Sequence, residues 1–415
     1  MTLDKAQETI LTDRQTDRQT DRQTERDSGI EFLKIFAVFV IAISHVVQTL
    51  TSENIYIPYH DYAIDITKAT VDLQRIILLI LYHFGVWGNS LFFICSAWFL
   101  LKTTAYKKNK WFFMLVEIWT VSIIILIITY VILHGEISTI IILKSVFPTL
   151  FANNWYMTCY LLFYPISPIL NYVIGRMDKK QLFRSTFTLA VLYIFLDFIK
   201  GDWFFPSPLI LWGAIYFLVA YMQKYLIALA DNIHKNLIFI LVNAAGSICL
   251  ILLTELGGLH IHLLSEKMMH WANNCNPFII FMSIGMFNVA RNIHFKSCFI
   301  NRISSLSLLI YVIHENLILR TYLRPAMWNY VYVNFGYTNL IGWVFVLALI
   351  IFIFGICAAA FYSATIRKFS EIASNKLYEA SKERYIHIES HILEKFRLFR
   401  SDGSARPASW KSIVW

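Results

Sequence analysis

Apolar stretches about twenty residues long recur along most of this chain, and each is long enough for a helix to cross a bilayer. Ten are read, at 30–50, 75–101, 111–133, 154–174, 183–200, 208–226, 236–255, 276–290, 303–323 and 338–363. Only 15% of the 415 residues are charged and 57% are hydrophobic, against about 25% charged in a soluble domain. A water-soluble fold is excluded. The expectation is an all-α polytopic membrane protein of about ten transmembrane helices. The second stretch, with Gly85, Gly88 and Asn89, invites a break or a start outside the bilayer.

The formal net charge of +9 does not point to nucleic acid, because the positive residues sit in short loops and at the tails. Lys102, Lys107, Lys108 and Lys110 follow the second stretch, Arg176, Lys179, Lys180 and Arg184 the fourth, and Arg291, Lys296 and Arg302 the eighth. The alternate loops are poorer in Lys and Arg. The cytoplasmic side carries that excess, so both termini are expected inside and the first span is expected to serve as its own insertion signal. The chain divides into a tail (1–28), a membrane unit (29–365) and a basic tail with an amphipathic helix (366–415). That helix suits either the inner leaflet or the cytoplasm. The six cysteines show no CxxC or metal spacing and read as small core residues.

Residues 12–27 read TDRQTDRQTDRQTERD, a polar, charge-alternating repeat that cannot bury a core and is expected to be disordered. The repeat is what the tetranucleotide ACAG encodes in successive frames. Such tracts slip in replication, so an on/off switch of expression, a phase variation, is expected; mixed synonymous codons would remove the idea.

Ionisable groups inside spans are costly and mark bundle interiors or aqueous cavities. Lys34, His45, His83, Glu117, Asp197, Glu255 and His314 qualify. Lys34 and His45 are eleven residues apart, a rise of about 16 Å and an angular offset of about 20° on a helix, so they share one stripe. Lys34 reads as a snorkelling anchor or a functional cation, and Glu31, three residues earlier, can pair with it. His45 reads as a helix–helix contact or a base. His83 reads as interfacial, and Glu117 and Asp197 as interhelical hydrogen-bonding groups. Asp202 and Trp203, with Phe204, offer a carboxylate and aromatic faces suited to a sugar, or an aromatic belt. His260, His262 and His270 lack companion ligands at metal spacing, and no metal is expected.

The stretch IEFLKIFAVFVIAISH (30–45) resembles the opening helix of membrane acyltransferase family 3, the polytopic O-acyltransferases of bacterial surface glycans: Glu31, Leu33, Lys34 and His45 fit its acidic–Leu–Arg/Lys–ten residues–His pattern. Lys replaces the commoner Arg, which matters where bidentate phosphate binding is needed. LFFICSAWFLL (91–101), with Ser96, is similar to that family's FFxxSGxxL. NNWYMTCYLLFYPISPILN (153–171) is similar to its Trp-led fourth-span segment. SLSLLIYVIHENLIL (305–319), with Tyr311 and His314, resembles its S-x-x-IYxxH segment, with Glu315 where Pro is commoner. The resemblance covers about residues 28–365, and no appended SGNH hydrolase-like domain is expected.

The resemblance implies transfer of an acyl group, usually acetyl, from cytoplasmic acyl-CoA to a hydroxyl of lipopolysaccharide or another surface glycan, at the bacterial inner membrane. Acetyl-CoA would be a co-substrate, not a resident cofactor. Its phosphates would meet Lys34, with Lys107 and Lys108 as a looser site or simply topological charge. A neutral imidazole suits a general base, so His45 is the candidate base and Glu31 orients or balances Lys34. A covalent acyl-enzyme on Ser96 is the alternative, with no base visible beside it. Asn154, Trp155 or Tyr311 are candidate oxyanion donors, and His314 a substrate contact or interhelical partner. Two other classes compete, a transporter or flippase of a lipid-linked glycan and a glycan polymerase. The first predicts repeated halves, the second long charged outer loops; neither is evident.

Overall fold

The structure, a computed structural model, describes residues 27–51, 66, 70–199, 208–336 and 338–398, with side chains to residue 382 except 197–199 and 273. The tandem repeat, Asp202 and Trp203 lie outside the described residues. Among these residues every regular element is helical: α1 (Ser28–Gln48), α2 (Leu73–Leu100), α3 (Lys108–Ile132), α4 (Thr139–Val146), α5 (Trp155–Arg176), α6 (Lys179–Ile199), α7 (Pro208–Tyr225), α8 (Ile233–Gly257), α9 (Pro277–Asn292), α10 (Cys298–Ser305), α11 (Ser307–His314), a π-helical turn (Leu319–Leu323), α12 (Arg324–Phe335), α13 (Leu340–Thr365) and α14 (Arg367–Leu398), besides three single turns. Six helices, α1, α2, α3, α5, α8 and α13, are long and apolar enough to cross a membrane. Helices α6, α7 and α9 stand where spans were expected but are shorter or less apolar.

Lipid-facing character is written on the outside of the bundle. Ile127, Ile128 and Val131 of α3, Leu241 and Val242 of α8, and Val346, Ile350 and Phe354 of α13 all point outward. In water such contiguous apolar surface would drive aggregation; acyl chains cover it at no cost.

Helices α1 and α2 form the closest-packed pair in the bundle. The break suggested by Gly85 and Gly88 does not occur, because α2 runs unbroken for 28 residues. The glycines serve approach instead. A Cβ on Gly85 would lie 2.5 Å from Ser44 Oγ, and one on Gly88 would lie 2.5 Å from the Ala37 carbonyl oxygen. Small residues that let backbones meet are the usual device of membrane helix pairs. Ser44 Oγ completes the contact by donating to the Tyr82 carbonyl. His83 is buried on another side of α2, away from this seam: its Nδ1 faces the Ala272 carbonyl and its Nε2 faces Ser247 Oγ of α8 at 3.2 Å.

The expected ninth span, 303–323, is not one helix. α10 and α11 meet at Leu306, and the chain breaks again at Glu315 and Asn316 before resuming through the π turn into α12. Asn316 is a favoured residue for restarting a helix, and its Oδ1 accepts the Ile318 amide at 3.0 Å.

Helix α14 packs along α3 with its polar side inward. Ser370 and Ser374 are buried, while Phe369, Ile372 and Leu377 are exposed. Tyr378 meets the ring of Phe112, and Ser370 Oγ donates to Thr120 Oγ1. Arg367 stands 4.0 Å from Glu117, which gives that carboxylate a cation and not the interhelical hydrogen bond expected of it. Those apolar residues share the outward side with exposed Lys368, Glu371, Lys376 and Glu379, a mixture that suits a helix lying along a leaflet surface.

Two measurements check this packing. Gly88→Leu should destabilise the detergent-solubilised protein by at least about 1–3 kcal/mol, the range for overpacking, read as a lowered midpoint of thermal unfolding. With exposed Cys249, Cys298 and Cys357 replaced by Ser, a fluorophore on Ile372→Cys should be quenched by spin-labelled lipid and shielded from aqueous iodide; the reverse would place that face in water.

Candidate active site

α1 is held at both ends, and each end carries ionisable groups. At its N-terminus Asp27 Oδ1 accepts the Gly29 amide at 3.1 Å. Ser28 bonds α10 and the loop before it: its amide donates to the Phe295 carbonyl at 2.8 Å and its Oγ to Asn301 Oδ1 of α10 at 2.9 Å. One turn on, Lys34 Nζ and Glu31 Oε2 pair at 2.7 Å, the partnership that their spacing suggests. Ser304 of α10 donates to the same carboxylate.

The C-terminal end has a different problem. The last four carbonyls of a helix lack intrahelical donors, and in α1 these belong to His45, Val46, Val47 and Gln48. Val47 and Gln48 are satisfied locally, by the Leu50 and Thr51 amides at 2.9 and 3.1 Å. The other two are capped by α12, one turn apart. Arg324 Nη1 donates to the His45 carbonyl at 2.8 Å and Trp328 Nε1 to the Val46 carbonyl at 3.0 Å. A cation at this position also complements the helix dipole.

The capping brings Arg324 to the break in the former ninth span, and there the site assembles. Glu315 Oε2 lies 2.8 Å from His45 Nδ1 and 2.9 Å from Arg324 Nη2, while its Oε1 lies 3.1 Å from Arg320 Nη1. His314 Nε2 is 3.3 Å from His45 Nδ1, and His314 Nδ1 is 2.9 Å from the Ile310 carbonyl. His45, His314, Glu315 and Arg324 are all at least nine-tenths buried. The π turn lies between Glu315 and Arg324, and such turns are frequent at functional sites.

The proton positions follow from the partners. A carbonyl only accepts, so His314 carries its proton on Nδ1 and presents a lone pair at Nε2. Glu315 and His314 Nε2 then both ask for a proton from His45 Nδ1, which therefore donates. The remaining ring nitrogen of His45, Nε2, is left with a lone pair and no bond to either group.

His45, His314 and Glu315 offer three ligand atoms within 4.8 Å of one another, the only such group among the described residues, and a set of this kind can hold a divalent ion. The charge argues against one. Two guanidinium groups already compensate the one carboxylate, so a dication would sit beside two cations while displacing the His45 proton. The site suits a proton. His260 and His262 are exposed and belong to no such group.

The other expected residues are dispersed. Tyr311 is buried, its ring 5.6 Å from that of His314. Asn154, at the start of α5, already donates from Nδ2 to the Val312 carbonyl at 3.3 Å; Trp155 follows it, against the Tyr156 ring. Ser96 donates back to the Phe92 carbonyl at 3.1 Å within α2. Gly85 lies at the level of Ser44 and Gly88 at that of Ala37, so α2 runs antiparallel to α1. Ser96, eight residues past Gly88, is about 12 Å further toward the Lys34 end and away from both histidines. Lys107 and Lys108 stand at the start of α3, where the Lys107 amide donates to Tyr164 Oη at 3.1 Å.

Glu315, Arg320 and Arg324 are the functional groups that sequence reasoning missed. A signal existed, since Glu315 and Arg320 fall inside an apolar stretch where ionisable residues are costly.

A helical membrane bundle whose first helix presents a carboxylate-tied imidazole fits an acyl-transfer enzyme, and the comparison with known families agrees. Residues 27–362, four-fifths of the chain, match the family described as Acyltransferase domain. The protein therefore belongs to membrane acyltransferase family 3 and is a membrane acyltransferase. No curated protein and no solved structure matches it.

The two arginines should differ sharply on truncation. Arg324→Met strips a buried carboxylate and a helix end of their cation and should cost about 3–5 kcal/mol. Arg320→Met, at a side chain 29% exposed, should cost about 1 kcal/mol or less. Unfolding midpoints of the two variants in one detergent give the comparison.

Proposed function

We propose that this protein is an O-acyltransferase that moves an acyl group, acetyl in the simplest case, from acyl-CoA to a hydroxyl of a surface polysaccharide or lipopolysaccharide sugar at the bacterial inner membrane. The observation that carries the reading is the state of His45. Its Nδ1 proton is committed to Glu315, and its Nε2 is the free lone pair that a general base needs.

In the reaction, His45 Nε2 takes the proton of the acceptor hydroxyl as its oxygen attacks the thioester carbonyl carbon. The new C–O bond forms, the C–S bond breaks, and the CoA thiolate leaves and takes up the proton. The imidazolium formed in between faces the Glu315 carboxylate. Direct transfer is favoured over an acyl-enzyme at Ser96, because that hydroxyl bonds its own helix and lies toward the opposite end of α1. Tyr311, whose ring adjoins that of His314, is the favoured oxyanion candidate. Asn154 has its amide committed, and Trp155 stays a weaker candidate.

At the Lys34 end the donor's phosphates would be received. Lys34 has one N–H on Glu31, which leaves two ammonium donors for a phosphate oxygen. Lys107 and Lys108, at the start of α3, are the looser candidates for the same anion. Glu31 fixes Lys34 and does not enter the chemistry. The expected partners are thus acyl-CoA and a glycan or lipid-linked glycan. The repeat at residues 12–27 supports a phase-variable surface modification.

The test is loss of a single ester. Cells carrying His45→Ala should make surface glycan of normal chain length that lacks one acyl-sized mass, seen by mass spectrometry. Full acylation by a folded His45→Ala protein would refute the base assignment, and loss of the whole glycan would favour transport or polymerisation. Lys34→Ala should raise KM for acetyl-CoA at least tenfold, about 1.4 kcal/mol of lost binding, with a smaller effect on kcat.

A further inference from the structure

The geometry points to Glu315 as the positioning residue of the base, a buried carboxylate that fixes which nitrogen of His45 reacts and is itself fixed by Arg324 and Arg320. This deepens the transferase reading and rests on it.

A free imidazole exchanges its proton between Nδ1 and Nε2 and turns about its side-chain bonds, so part of the population would present an N–H to the acceptor hydroxyl where a lone pair is needed. Glu315 Oε2, 2.8 Å from His45 Nδ1, removes that freedom. His314 adds a second acceptor on the same side, with Nε2 at 3.3 Å and its own proton spent on the Ile310 carbonyl. Two acceptors therefore face Nδ1, and only the Nδ1–H form satisfies both. Once the hydroxyl proton reaches Nε2, the imidazolium is stabilised by the negative charge already waiting at Nδ1. A carboxylate paired this way with a histidine base is worth about 10⁴-fold in kcat in the best-studied triad.

The carboxylate could not do this alone, because an uncompensated buried charge is strongly destabilising. Arg324 answers with one arm on Glu315 Oε2 and the other on the carbonyl of His45 itself, at 2.9 and 2.8 Å. One guanidinium thus sets both the helix that carries the base and the group that orients it. Arg320, within the π turn, holds the second carboxylate oxygen. The sequence marks the device: a glutamate stands directly after the histidine of the IYVIH segment.

The experiment uses the full chain in nanodiscs, with acetyl-CoA as donor and envelope glycan from cells lacking the gene as acceptor. Glu315→Gln keeps the shape and removes the charge. It is expected to lower kcat about 10³-fold or more while KM for acetyl-CoA stays within about threefold, with the donor site at the other end of α1 untouched. Glu315→Asp should recover part of the lost rate. Nitrogen-15 NMR of labelled histidine should show His45 as a single Nδ1–H tautomer in the parent protein and as a mixture in Glu315→Gln. If Glu315→Gln fails to fold, Glu315→Gln with Arg324→Gln removes the pair together and is read in the same way. Parent-like kcat and an unchanged tautomer in either variant, beside an inactive His45→Ala, would overturn the positioning role and leave the transferase standing. An active His45→Ala would instead remove His45 as the base, whereas a folded parent protein that transfers no acetyl group would sink the transferase reading itself.

Discussion

A carboxylate buried at 2% exposure has to be answered, and Glu315 is answered three times over, by two guanidinium charges and one imidazole N–H. Arg324, Arg320 and the Nδ1 proton of His45 converge on its two oxygens. Desolvating such a group alone would cost several kcal/mol, so the elements supplying these partners cannot be placed independently. The end of α1, the break after α11, the π turn and the first turn of α12 become one unit. The break itself follows from the same demand. A continuous helix through 303–323 would leave Glu315 at a fixed angle on its surface, whereas the interruption at Glu315 and Asn316 frees it to turn toward α1.

The same unit explains how an imidazole can sit at a helix end within an apolar bundle. Unsatisfied carbonyls at that end would ordinarily draw water, but Arg324 and Trp328 occupy them. At the opposite end, Asp27 and Ser28 cap the helix start, and the Glu31–Lys34 pair holds a cation without leaving a lone buried charge. The close seam with α2, made possible by Gly85 and Gly88, keeps the intervening length of α1 rigid. α1 is then a fixed rod with a cation near one end and an imidazole near the other, the arrangement on which the proposed use of an acyl-CoA donor rests.

Some of this was legible in the residues and some was not. The helical class and the apolar stretches were plain, since hydrocarbon permits little else but helices for segments of that length. The Lys34–His45 stripe and the Glu31–Lys34 pair needed only helical spacing, because they lie on one element. The unbroken course of α2 was obscured by its glycines, which reflect the neighbour's proximity and not local flexibility. The interruption at Glu315 was hidden because composition averaged over 303–323 still reads as a span. Ser96 looked like a possible partner of the chemistry, yet the antiparallel run of α2 carries it to the other end of α1.

The sequence by itself determined the apolar medium, the helical class and the stripe that Lys34 and His45 share on the first helix, because hydropathy and helical period act over short distances along the chain. The tertiary structure alone decided which charge faces His45. That choice depends on groups some 270 residues away, Glu315 and Arg324, and nothing in local spacing records which buried charge finds which partner once the helices close together.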